Sequence, residues 1–159
     1  MCVLVAKYFH EFGWCGVKNR DRNYTPSAKF YSDDDSLIFY DNKTNYAEGM
    51  NVHKTSILSA SLMVRTDEKE IFKKGAKKTK DGEKIIDALK YNSITQSIQA
   101  TIDSKLTGHT LVFNDEDAYL LEAVNKNKQY FYSLKKLDKN NTLARTNHGI
   151  DIHLSLIHI

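Results

Sequence analysis

A chain of 159 residues, 41% hydrophobic and 27% charged, has the make-up of one ordinary globular domain, which excludes disordered, collagen-like and linker-rich chains. Its formal net charge of +3 comes from 23 Lys and Arg against 20 Asp and Glu, a mixture of signs that singles out no nucleic-acid partner. No run approaches the roughly 18 uncharged apolar residues of a membrane span. Residues 2–8, CVLVAKY, are rich in β-branched side chains and predict a strand. Gly13–Val17 predicts a second strand, so the chain opens with a hairpin, and Asn19–Asn23 reads as a polar turn. Lys29–Tyr31 and Ser36–Tyr40 flank Asp33-Asp34-Asp35 as another hairpin. Gly49-Met50-Asn51 reads as a turn, and Ser56–Val64 as a buried strand of small and apolar residues.

The hydrophobic period then changes. The Lys-rich run from Lys69 to Lys84 carries Glu70, Asp81 and Glu83 and reads as a solvated loop or helix end. Glu83–Tyr91 places Ile86, Leu89 and Lys90 at helical spacing. Ile94, Ile98 and Ile102 recur every four residues within Ser93–Lys105, and Ser93 with Gln96 forms a capping box. After Gly108 the strands return at Thr110–Phe113, Ala118–Val124, Tyr130–Leu134 and Thr142–Arg145. Asn114–Asp117 and Asn125–Lys128 supply the turns. Strands, two helices, then strands make an α+β domain of antiparallel hairpins on a helical layer.

Two cysteines, Cys2 and Cys15, make no disulfide framework, and the dispersed histidines spell no metal site. The N-terminus lacks a basic n-region, and its apolar run ends at Lys7, so the chain reads as cytoplasmic. Cys2 is the sharpest chemical feature. Methionine aminopeptidases remove Met1 before a small second residue, and removal leaves a thiol and an α-amine on one residue. With ordinary pKa values of about 7.7–8.0 for the amine and about 8.5 for a thiol, the amine serves as base for its own nucleophile. The plainer reading of Cys2 is a small hydrophobe at a strand start. Asp21 can orient the terminal amine, its neighbouring cations can bind a substrate carboxylate, and Asn147 can donate to a developing oxyanion. Each also reads as a turn residue, as does His148. Cys15 reads as a core thiol.

These signals coincide in one family pattern. The chain resembles the N-terminal nucleophile (Ntn) hydrolases with an N-terminal cysteine, the linear-amide hydrolases. These include the choloylglycine hydrolase and penicillin V acylase group and the acyl-coenzyme A:6-aminopenicillanic acid acyltransferase-like group. Four blocks match in order over residues 2–150: Met1-Cys2 before an apolar strand; Gly16-Val17-Lys18-Asn19-Arg20-Asp21; Gly49-Met50-Asn51 with the strand Ser56–Val64; and Thr110–Glu122 followed by Arg145-Thr146-Asn147-His148-Gly149. The resemblance implies a four-layer αββα sandwich, attack by the residue-2 thiolate on a linear amide, and an acyl-enzyme resolved by water or by another amine. It makes Cys2 the nucleophile, Asp21 the residue that holds its amine, and Asn147 an oxyanion donor. Lys18, Arg20 and Ser61 fall at substrate-binding positions.

The departures are specific. Lys18 stands where the family has Arg, Val52-His53-Lys54 lacks the family's E-x-G, and Ser61 stands at an oxyanion Asn position. The chain therefore reads as a cofactor-free, metal-free cysteine amidohydrolase for a small-molecule amide. An acyltransferase on the same site and a catalytically inactive binding or structural module of this fold are the alternatives. No nucleic-acid or membrane partner is expected, and a homo-oligomer is left open. Residues 1–153 read as a single, partial domain, and 154–159 as a non-native tail resembling a translated sequencing adapter on a shortened reading frame.

Overall fold

The computed structural model describes residues 2–20, 27–61, 79–126 and 128–146. Strand β1 (Cys2–Phe9) turns into β2 (Gly13–Arg20), and the two pair antiparallel from Phe9 opposite Gly13 to Cys2 opposite Arg20. Strand alternation decides which side chains turn inward. Cys2, Leu4 and Ala6 are buried on one face of β1, and their partners Arg20, Lys18 and Gly16 share that face. Cys15 and Val17 fall on the other face and are exposed, so Cys15 is a surface thiol and not the core thiol that its composition suggested.

The chain continues as β3 (Ala28–Ser32), β4 (Ser36–Asp41), β5 (Tyr46–Asn51) and β6 (Ser56–Ala60). Helices α1 (Asp81–Ala88) and α2 (Ile94–Asp103) follow, then β7 (Gly108–Phe113), β8 (Ala118–Lys126), β9 (Gln129–Lys136) and β10 (Leu143–Thr146). Strands β3 to β9 form a seven-stranded antiparallel meander in sequence order, and β10 joins β1 and β2 in a three-stranded sheet ordered β10-β1-β2. In α2, Ser93 caps the first turn by accepting from the Gln96 backbone N–H at 3.3 Å, as the capping box requires.

The core is two slabs on either side of the large sheet. On one side Ala6, Trp14 and Leu143 of the small sheet pack on Leu111, Phe113, Ala118 and Leu120. On the other, Ile38, Ile57 and Val112 pack under Ile85, Ala88, Leu89 and Ile98 of the helices. The adjacent pair Leu111 and Val112 serves both slabs, as alternation demands. Antiparallel sheets with a helical layer are therefore present. Among the described residues the layers are small sheet, large sheet and helices, and no helix is long and apolar enough to cross a membrane.

Several local expectations change: Asn19 and Arg20, read as part of a turn, complete β2, and Asn125 and Lys126, read likewise, extend β8. Gly49-Met50-Asn51 is no turn; it completes β5, with Ile38 opposite Gly49 and Leu37 opposite Met50. Glycine belongs there because a β-carbon would press on the Leu37 carbonyl and on Leu89 Cδ1. Asn51 is buried and donates to the carbonyls of Leu89 at 2.9 Å and Tyr91 at 2.8 Å, satisfying the end of α1. Strand β6 stops at Ala60, and Leu62–Val64 lie outside the described residues. The buried stripe of α1 is Gly82, Ile85 and Ala88, and Lys90 faces solvent.

Candidate functional site

Cys2 opens the central strand of the small sheet with 7% of its surface exposed, packed with Leu4 and Ala60 between the two sheets. Arg20 lies directly opposite it, and Lys18 lies opposite Leu4 on the same inward face. The large sheet answers with carboxylates. Glu48 and Asp41 occupy neighbouring strands on the face that meets the small sheet, in register with Phe39 and Tyr46 respectively. Arg20 Nη2 donates to Glu48 Oε1 at 3.0 Å, and its Nη1 stands 3.8 Å from Asp41 Oδ2. Lys18 Nζ donates to the same Glu48 oxygen and to the Ser59 carbonyl.

Tyr46 floors this cluster. Lys18 Nζ stands 4.4 Å and the Arg20 guanidinium 4.6 Å from its ring centre, and Phe39 lies 5.4 Å from Arg20 on a second side. Its phenol donates to Ser59 Oγ at 2.9 Å, and Thr110 Oγ1 donates to the same hydroxyl at 3.2 Å. Strands β5 and β6 pair over Gly49–Ile57 and Met50–Ser56. The Ser59 carbonyl lies beyond those pairs, and the Lys18 ammonium supplies its donor. Burial pulls the Lys18 amine down to about 8 against the opposing pull of Glu48, and the Arg20 charge lowers it further. Burial likewise pushes the Tyr46 phenol well above its ordinary range. Two cations and two carboxylates leave the cluster formally neutral, as a buried ionic group requires. Among the described residues, Arg20 Nε and Nη1 make no hydrogen bond, although Nη1 lies in the Asp41 ion pair.

A second charged group occupies the same inter-sheet layer, three strands away. His109 of β7 is opposite Ala60, which packs on Cys2, and opposite Glu122 of β8 on its other side. His109 Nδ1 stands 3.0 Å from Glu122 Oε1, off the line of a hydrogen bond, and its Nε2 has no partner among the described residues. Arg145 of β10 donates through Nε to Glu122 Oε1 at 3.2 Å. His109, and after it Arg145, holds the Glu122 carboxyl below the usual carboxylate range against the effect of burial.

Of the residues singled out from the sequence, Cys2, Lys18 and Arg20 come together on one face. Ser61 follows β6, exposed, with its hydroxyl beside the Tyr46 phenol. Asp21 and Asn147 lie outside the described residues, as do Met1 and His148. Sequence reasoning missed Asp41, Tyr46, Glu48, His109 and Glu122 as site residues. The available signal was a charged or polar residue at an inward position of an alternating strand, and it needed β5 to be recognised first. No protein-family model, curated protein or solved structure matches the chain.

Proposed function

We propose that this chain is a cysteine amidohydrolase of the N-terminal nucleophile type, acting on a linear amide through an acyl group carried on Cys2. The observation that carries the reading is the burial of Cys2 at the head of β1, beside two cations whose counter-ions come from the facing sheet. Once Met1 is removed, the α-amine takes the thiol proton and the thiolate attacks the amide carbon. The C–N bond breaks, and the leaving amine departs with the proton held by the α-ammonium. Water then attacks the thioester with the amine again as base, releasing the acid and the thiol. An amine in place of water makes the same chemistry an acyl transfer.

Lys18 and Arg20 supply positive potential where negative charge develops. Arg20 stands as a substrate-binding residue by resemblance, with its guanidinium already set against Glu48 and Asp41. Asp21 as holder of the amine, Asn147 as oxyanion donor and Ser61 as a lining residue complete the proposal by resemblance.

The exposed Cys15 is an internal reference for the test. The intact mass is measured before and after brief treatment with a thiol alkylator, and the modified residue is mapped. The expected result is a protein lacking Met1 in which Cys2, although buried, labels at least about tenfold faster than Cys15. Cys2→Ser should then abolish turnover across a panel of linear amides. Retained Met1, with Cys15 labelled first, overturns the reading.

A further inference from the structure

The strand that carries Cys2 is flanked on both sides, and each flank is tied to the large sheet by a carboxylate. On the β2 side, Glu48 of β5 receives Lys18 and Arg20. On the β10 side, Glu122 of β8 receives Arg145. Arg145 is opposite Leu4, whose side chain is fully buried against the large sheet, so Arg145 points into the same layer. Among the described residues strand β10 has a single strand neighbour, β1, and its Leu143 and Arg145 side chains reach the large sheet. Of these, Arg145 lies nearer the Cys2 end, one residue from the Val3–Thr146 pair. Glu122 is in turn backed by His109, whose own strand neighbour Ala60 packs on Cys2.

We propose that Glu122 is a positioning residue for the reaction at Cys2, holding β10 through Arg145 and thereby seating the first residues of β1 against the Ala60–His109 ladder. This inference rests on the amidohydrolase reading. Glu122 makes no claim on the substrate. It acts through the rigidity of the strand pair, as a carboxylate that closes a two-sided clamp whose other jaw is Glu48. A pair only partly shielded from water contributes little stability, so its weight should appear in geometry rather than in melting temperature.

The test uses the full chain with Glu122→Gln, Arg145→Gln, the double variant and Leu143→Ala, which loosens the opposite end of β10 by removing apolar contact only. In Glu122→Gln and Arg145→Gln, kcat should fall about tenfold with KM within about twofold, the signature of lost alignment rather than lost binding. The double variant should be no worse than either single variant, because both break one clamp. The Cys2-to-Cys15 alkylation ratio should fall in both single variants. Leu143→Ala should lower the melting temperature at least as much yet leave kcat and that ratio within about twofold. Additive losses in the double variant overturn the inference, as does a kcat that tracks melting temperature across all variants. The alkylation ratio reads the clamp even where no tested amide is turned over. A wild-type Cys2 that labels no faster than Cys15 fells the amidohydrolase reading, and this inference with it.

Discussion

Lys18 is the residue that most distinguishes this site, because an ammonium titrates where a guanidinium does not. With its amine lowered to about 8 by burial, its charge disappears just above neutrality. The α-amine of an N-terminal cysteine must be deprotonated to act as base, with an ordinary value of about 7.7–8.0. The two requirements oppose each other, so kcat/KM against pH should be a narrow bell centred near about 8. In Lys18→Arg the descending limb should move to higher pH while the ascending limb stays. An unchanged alkaline limb in that variant would show that the Lys18 charge does not enter the rate. Stability carries the same signature. Between about 8 and the ordinary 10.5, the unfolded chain holds a proton that the folded chain has lost. The Lys18 contribution to stability therefore rises with pH across that window, and urea midpoints for wild type and Lys18→Arg should diverge there.

The elements were more legible than the site they build. Each β-branched or apolar run bounded by turn residues became a strand, and both helices formed where the period lengthened, because burial of one face dictates the period. Strand β5 escaped notice because Glu48-Gly49 breaks the expected alternation. The glutamate turns inward to meet Lys18 and Arg20, and the glycine leaves room for Leu89. Missing β5 meant missing Glu48 and Tyr46, so half of the cluster around Cys2 was invisible. Cys15 was misread for the opposite reason. An apolar run suggests burial, but the residue parity of a hairpin with one covered face turns every second side chain to water. Gly108 tests how tightly the ladder beside Cys2 is built. It adopts φ of +121°, and a β-carbon there would strike the Ala60 carbonyl, which cannot retreat without breaking the β6–β7 pairing. Gly108→Ala should cost at least about 2 kcal/mol in denaturant unfolding. A smaller loss would mean that β6 and β7 can slide without harm.

At the scale of the whole molecule, two sheets of unequal width share one face, and the buried charges lie in the layer where they meet. The large sheet is a meander whose neighbours are all consecutive in the chain. The pairing of β1 with β10 joins the two ends of the described chain, with Val3 opposite Thr146. Closing the longest loop costs the most chain entropy, so this pairing belongs late in folding. Leu143→Ala should accordingly raise the unfolding rate while leaving the refolding rate within about twofold. Slower refolding would place β10 in the nucleus instead. The order has a consequence during synthesis. Strand β10 follows β1 by the whole of the large sheet, so it leaves the ribosome well after the N-terminal segment that it pairs with. On the proposed function, removal of Met1 belongs to the stage before β10 closes beside β1, while that edge of the Cys2 strand is still unpaired.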